Sequence, residues 1–229
     1  MNAPLHMRWD DRGQQSLLAR AETLIQAPGR SILGIAGAPG AGKSTISEWL
    51  LEHLLARYPR QVALVPMDGY HLAQSVLEAR GLEHRKGAPD TFDGVGYVAM
   101  LTQIRAQTTQ EFYAPIFRRD LNDAIAGAVP IPPETRLVIT EGNYLLLDEA
   151  PWNNVAGLLD ETWFVELDQD ERLRRLTARH LIFDNDAAIA ERRATGNDEN
   201  NARLVAAGNH RSTLVIEHTP SVVTTGSGE

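Results

Sequence analysis

Residues 31–45 read SILGIAGAPGAGKST. The first seven are apolar and bounded by glycine, the mark of a short buried strand, and residues 43–57 then place Ile46, Trp49, Leu50 and Leu54 at helical spacing. Between strand and helix, Gly37, Ala38, Pro39, Gly40, Ala41, Gly42, Lys43 and Ser44 satisfy the pattern G-x-x-x-x-G-K-[ST] in the context the pattern requires. Glycines let successive backbone N–H groups converge on phosphate oxygens, and the N-terminus of the following helix adds partial positive charge at the same point. Lys43 supplies a point charge for the β- and γ-phosphates, the Ser44 hydroxyl is placed to ligate Mg²⁺, and Thr45 completes the nucleotide-binding set. The stretch predicts a P-loop that binds a nucleoside triphosphate with Mg²⁺.

Working outward, residues 11–26 carry Leu17, Leu18, Ala21, Leu24 and Ile25 at helical spacing, so residues 1–29 read as an N-terminal helix stopped by Pro28-Gly29. Downstream, QVALVPMD at 61–68 is a second strand of buried type, followed by a helix through Leu72, Val76 and Leu77 that closes at Gly81. Further strands are expected at 136–142, 161–167 and 212–216. Buried strands alternating with helices predict an α/β fold of three layers around a central parallel sheet. Residues 81–93 replace the apolar stripe with charges and breakers and read as a surface loop, and 95–106 return to helical spacing. Residues 113–133 carry Pro115, Gly127, Pro130, Pro132 and Pro133, too many breakers for one regular element. The segment 81–133 is therefore expected to form an insertion beside the site, with a lid over 170–196 and a flexible tail over 218–229. Residues 1–229 read as one domain.

Of the 229 residues, 43% are hydrophobic and 23% charged, and the formal charge is −8. Such a chain packs a core and repels polyanions, so nucleic acid is excluded as a first partner. The absence of cysteine removes disulfides, thiolate metal sites and thiol nucleophiles. The seven histidines show no metal-ligand spacing. No apolar run is long enough to span a membrane and residues 1–13 lack a secretion pattern, so the expectation is a cytoplasmic protein with no membrane partner. Assembly as a homodimer stays open.

A P-loop fixes nucleotide binding and leaves the reaction undecided. No N-K-x-D guanine-reading motif or LSGGQ-type signature occurs, which points to a kinase for a small acceptor. PMDGYHL at 66–72 and VITEGNYLLL at 138–147, together with GAPGAGKST, resemble the phosphoribulokinase, uridine kinase and pantothenate kinase group of P-loop kinases over about residues 30–216. The resemblance implies Asp68 as general base facing the acceptor hydroxyl. It also implies Glu141 as the acidic residue that helps to hold Mg²⁺, with Asn143 beside acceptor or nucleotide. DERLRRLTARH at 170–180 resembles the lid helix of uridine kinases, although His180 stands where that pattern has an acidic residue. Arg172, Arg175 and Arg179 fall on one helical face, suited to the spread charge of a transferring phosphoryl group. Helical pairing of Asp168 with Arg172 and Glu171 with Arg175 is the competing expectation.

HRKGAPDTFD at 84–93 resembles the K-G-x-P segment of pantothenate kinases, and YAPIFRRDLNDAI at 113–125 the acceptor-side segment of the wider group. Lys86, Arg118 and Arg119 are candidates for an anionic acceptor or the transferred phosphate, and Tyr70, His71, Phe92 and Tyr113 for walls and hydrogen bonds. GNDENNARLV at 196–205, with Asn209 as a nucleotide contact and Arg211, resembles a branch described as fructose transport system kinases. The expected reaction is transfer of the ATP γ-phosphoryl group to a hydroxyl of a small molecule, fructose or a related sugar first. A nucleoside or pantothenate-like acceptor, and a non-catalytic nucleotide-dependent switch, are the alternatives.

Overall fold

The computed structural model describes residues 3–106, 109–184 and 186–218. Six strands form one parallel sheet: β1 (Leu5–Arg8), β2 (Ser31–Gly37), β3 (Val62–Pro66), β6 (Leu137–Gly142), β7 (Glu161–Glu166) and β8 (Leu214–Glu217), in the order β1-β8-β7-β2-β6-β3. A separate antiparallel hairpin joins β4 (Phe112–Arg118) to β5 (Asp123–Ile131). Every residue of β2 is buried, and its alternation splits the core in two. Leu33 and Ile35 face Leu17, Ile46 and Leu50 of α1 (Asp11–Gln26) and α2 (Lys43–Leu55). Ile32 and Ala36 face the opposite cluster, with Tyr97, Met100 and Leu101 of α4 (Gly94–Ala106) and with Tyr144 and Trp152. A continuous apolar run thus becomes the central strand because both of its faces are covered.

In parallel sheets the strand C-termini share one edge, and the crevice outside that edge is where ligands bind. Here β2 runs into the glycine loop, β3 into a 3-10 turn at Met67–Tyr70 carrying Asp68, β6 ends on Glu141-Gly142, and β7 on Glu166. The remaining helices are α3 (Gln74–Arg80), ended by Gly81 in the left-handed region, and α5 (Gln169–Asp184), α6 (Ala187–Thr195) and α7 (Asn197–Ala206), which stand over the same edge.

Three expectations change. The segment 1–29 contains β1 as well as a helix; β1 is an exposed edge strand without an apolar run, recruited through its ladder with β8. The stretch 61–68 is strand only to Pro66, after which Pro66–Tyr70 turns tightly enough for the His71 amide to bond the Asp68 carbonyl. Residues 113–133 are regular: Pro115 sits at a register shift between Ala114 and Ile116, and a two-stranded ribbon leaves outer edges on which a missing N–H breaks no ladder bond. Of the tail expected at 218–229, His218 hydrogen-bonds the Ala41 carbonyl at 3.0 Å, and the rest lies outside the described residues. Among the described residues no helix is long and apolar enough to cross a membrane.

Candidate active site

Gly40 and Gly42 adopt φ of 80° and 100°, the left-handed region that glycine enters without penalty, and this coils the loop around its amides. A Cβ on Gly40 would lie 2.8 Å from Leu176 Cγ, so α5 packs directly on the loop. Lys43 is buried and donates to the Ala38 carbonyl at 3.1 Å and to Asn143 Oδ1 at 2.8 Å. The Ser44 hydroxyl donates to Glu141 Oε1 at 2.9 Å. Burial pushes the Glu141 carboxyl up and the Lys43 ammonium down, and each charge offsets part of the other's shift. The hydroxyl of Ser44 and the carboxylate of Glu141 are hard oxygen donors that suit Mg²⁺, a cation that takes few protein ligands beside phosphate oxygens.

Across from Lys43, a cleft of about 700 Å³ holds Asp68, His71, Lys86, Phe92, Phe117, Arg119 and Asn122 on one wall and Arg175, Arg179 and His180 on the other. Arg119 Nη2 stands 4.0 Å from Asp68 Oδ2, an ion pair without a direct hydrogen bond. The His71 ring lies 4.0 Å from that of Phe92 and 4.6 Å from that of Phe117, and its Nδ1 is 2.9 Å from the Asp68 carbonyl oxygen. A carbonyl only accepts, so Nδ1 carries the proton. Burial, joined by Lys86 and Arg119, holds the His71 pKa down, against the pull of Asp68, so the ring is neutral and Nε2 is an acceptor. Lys86 Nζ donates to Gln74 Oε1 at 3.1 Å and the Asn122 carbonyl at 2.7 Å, and sits 5.4 Å from the Phe117 ring centre. Both of these acceptors are uncharged.

The three arginines expected to share a lid face separate along α5. Arg175 and Arg179 border this cleft, Arg175 bonded to Glu171 at 2.7 Å as the helical pairing anticipates. Arg172 instead lines a second cavity of about 600 Å³ behind Ala38 and Ala41, with Val165, Leu167, Ala202 and Asn209. It is buried against Glu199, and among the described residues its Nη1 lacks a hydrogen bond and Asp168 does not pair with it; Asp168 caps α5 by accepting from the Asp170 and Glu171 amides. Asn209 donates to Glu166 Oε1 at 3.1 Å in the same cavity. The two cavities lie on either side of the glycine loop.

Three expected contacts fall elsewhere. The Tyr113 side of β4 faces solvent, 55% exposed, with its hydroxyl on Glu111. Arg118, the last residue of β4, turns outward onto Asp120 at 2.7 Å, while Arg119 opens the following turn. Tyr70 stacks edge-on against buried Tyr97 at 5.4 Å, and burial raises its hydroxyl to about 12. Phe117, Asn122, His180, Arg193 and Asp198, none of them named as a site residue from the sequence, also border the cleft; His180 Nε2 meets Asp198 Oδ2 at 2.7 Å. Phe117 and Asn122 lie within the acceptor-side stretch at 113–125 but are not singled out there; the hairpin delivers them.

No family model matches the chain. It is 31% identical over 181 residues to "Putative uridine kinase C227.14" of Schizosaccharomyces pombe, an alignment covering 76% of each protein. It is 33% identical to the pantothenate kinase of Enterococcus faecalis over 60% of this chain and 45% of that one. Among solved structures, a "putative fructose transport system kinase" from Silicibacter sp. superposes with a TM-score of 0.78 at 38% identity, over 87% of this chain and 98% of the other.

Proposed function

The chain belongs to the P-loop kinases of the uridine kinase and pantothenate kinase group, and from that premise we propose that it phosphorylates a hydroxyl of a sugar or sugar derivative with ATP. The observation that carries this reading is the convergence of Lys43, the Ser44–Glu141 pair and Asp68 on one cleft, with Arg119, Arg175 and Arg179 around it. Loop amides and Lys43 bind the β- and γ-phosphates, and the cavity around Arg172 and Asn209 takes the base. Ser44 and Glu141 would hold Mg²⁺, which when bound offsets phosphate charge. Asp68 accepts the acceptor's hydroxyl proton as the O–P bond forms, the bond to the β-phosphate oxygen breaks, and ADP leaves. Arg175 and Arg179 stabilise the charge spreading over the γ-oxygens, and the lid excludes water.

The sugar assignment is supported by the name of the Silicibacter relative and by hydroxyl acceptors in a row, Asp68 and His71 Nε2, beside the ring faces of Phe92 and Phe117. Lys86 and Arg119 favour an acceptor that also carries a carboxylate or phosphate, since among the described residues neither cation has a direct carboxylate hydrogen bond. The test is ADP release from Mg·ATP across free and phosphorylated sugars, nucleosides, pantothenate and glycerate, with the product confirmed by mass. An acceptor-stimulated burst is expected, and Asp68→Asn should reduce it by about 10²-fold or more with nucleotide affinity intact. Nucleotide binding without turnover on any acceptor, or full activity in Asp68→Asn, contradicts the reading.

A further inference from the structure

The segment GNDENNARLV has no part in the chemistry above, yet its side chains reach both ends of the site. Asn197 Nδ2 donates to the Lys86 carbonyl at 3.2 Å and, more weakly, to that of Arg85 at 3.4 Å. Asn201, only 3% exposed, donates to the Gly87 carbonyl at 3.2 Å, and the Tyr144 hydroxyl bonds the same oxygen at 2.5 Å. Residues 197 and 201 are one helical turn apart and share a stripe of α7. On its other side, the helix presents Glu199 to Arg172 and places Ala202, Arg203 and Ala206 in the cavity assigned to the base. Asp198 holds His180 of α5. One ten-residue helix therefore grips the backbone on which Lys86 stands and the arginine beneath the nucleotide base.

We propose that Asn197 and Asn201 are positioning residues that fix the Arg85–Gly87 backbone and make its order depend on nucleotide bound at the other side of α7. The proposal rests on the kinase reading. Asparagine suits the role because its amide has two N–H donors and no charge, so it can hold backbone carbonyls without a buried ion. Gly87, at φ 99°, lets the chain present those carbonyls in succession toward the helix. Ordering by the first ligand lowers the conformational cost of binding the second, which is coupling without a change of fold.

Hydrogen exchange on the full chain tests this, following the peptides spanning 83–91 and α7 with and without Mg²⁺ and a non-hydrolysable ATP analogue, after a nucleotide titration of each variant. In the wild type both peptides should slow together. Asn201→Leu keeps about the volume of the side chain and has no donor or charge, and Asn197→Ala removes the less buried contact and is the variant more tolerant in folding. Each should keep wild-type nucleotide affinity while nucleotide-dependent slowing at 83–91 falls about fivefold per bond lost, the factor of an ordinary hydrogen bond. The KM for the acceptor should rise while that for ATP holds. Equal slowing in the variants overturns the proposal, as does a wild-type loop that ignores bound nucleotide. Failure of the wild type to bind nucleotide in the titration overturns the kinase reading and the coupling together.

Discussion

At His71, burial and the two cations Lys86 and Arg119 lower the pKa below the ordinary histidine value of about 6.5. The unfolded chain then binds the proton more readily than the folded one, so this group's contribution to stability is complete above about pH 6.5 and is lost as pH falls toward the folded value. Protonation would turn Nε2 from acceptor to donor and set a third positive charge beside Lys86 and Arg119. The KM for the acceptor should therefore be level at and above about pH 6.5 and rise only as pH falls further, through the lowered folded value. His71→Asn keeps a polar side chain without a titrating ring, and its KM profile should lose the acid limb; an unchanged limb assigns the titration to another group. Individual side chains were legible in the sequence where a motif fixes them, as for Lys43, Ser44 and Asp68. Arg118 and Arg119 look equivalent as letters, and only the end of β4 between them, with one in the strand and the other in the turn, sends one to Asp120 and the other to Asp68.

The hairpin β4–β5 meets the Asp68 turn at Gly69, where a Cβ would stand 2.5 Å from the Pro115 carbonyl oxygen. A backbone atom cannot swing aside as a flexible side chain does, so Gly69→Ala must push the hairpin away from the turn. We expect a loss of about 1–3 kcal/mol in denaturant unfolding, typical of overpacking. Arg119 and Phe117 move with the hairpin while the glycine loop does not, so kcat/KM for the acceptor should fall and nucleotide affinity stay. A fall in nucleotide affinity as large as that in kcat/KM would mean that the hairpin and the loop are not independent. Elements such as α1 and β2 were readable to the residue, because their periodicity and their stops at Pro28-Gly29 and Gly37 are local signals. The strand β1 and the hairpin were not, since a four-residue exposed strand exists only through its partner, and prolines at a register shift look in sequence like loop.

The whole molecule carries −8, yet the edge where its strands converge gathers Lys43, Lys86, Arg119, Arg175 and Arg179. Desolvation already lowers the pKa of Lys43 and of Arg179, so these cations are held at a cost that an anionic ligand relieves. If the proposed site binds nucleotide, its binding is felt as stability of the entire fold, because the glycine loop, β6 and α5 all border the cleft. At a free nucleotide concentration about 100 times Kd the gain is about 2.7 kcal/mol. For a chain of this size, roughly 2–4 °C per kcal/mol converts that gain into a Tm rise of about 5–11 °C. Lys43→Ala also removes the partner of buried Glu141, so its apo Tm will itself move, and the quantity to compare is the shift on adding Mg·ATP. At the same nucleotide concentration that shift should fall below about half of the wild-type value, since a charge-assisted phosphate contact is lost while the loop amides remain. A variant that keeps the full shift would show that Lys43, despite its place between Ala38 and Asn143, does not hold the phosphates.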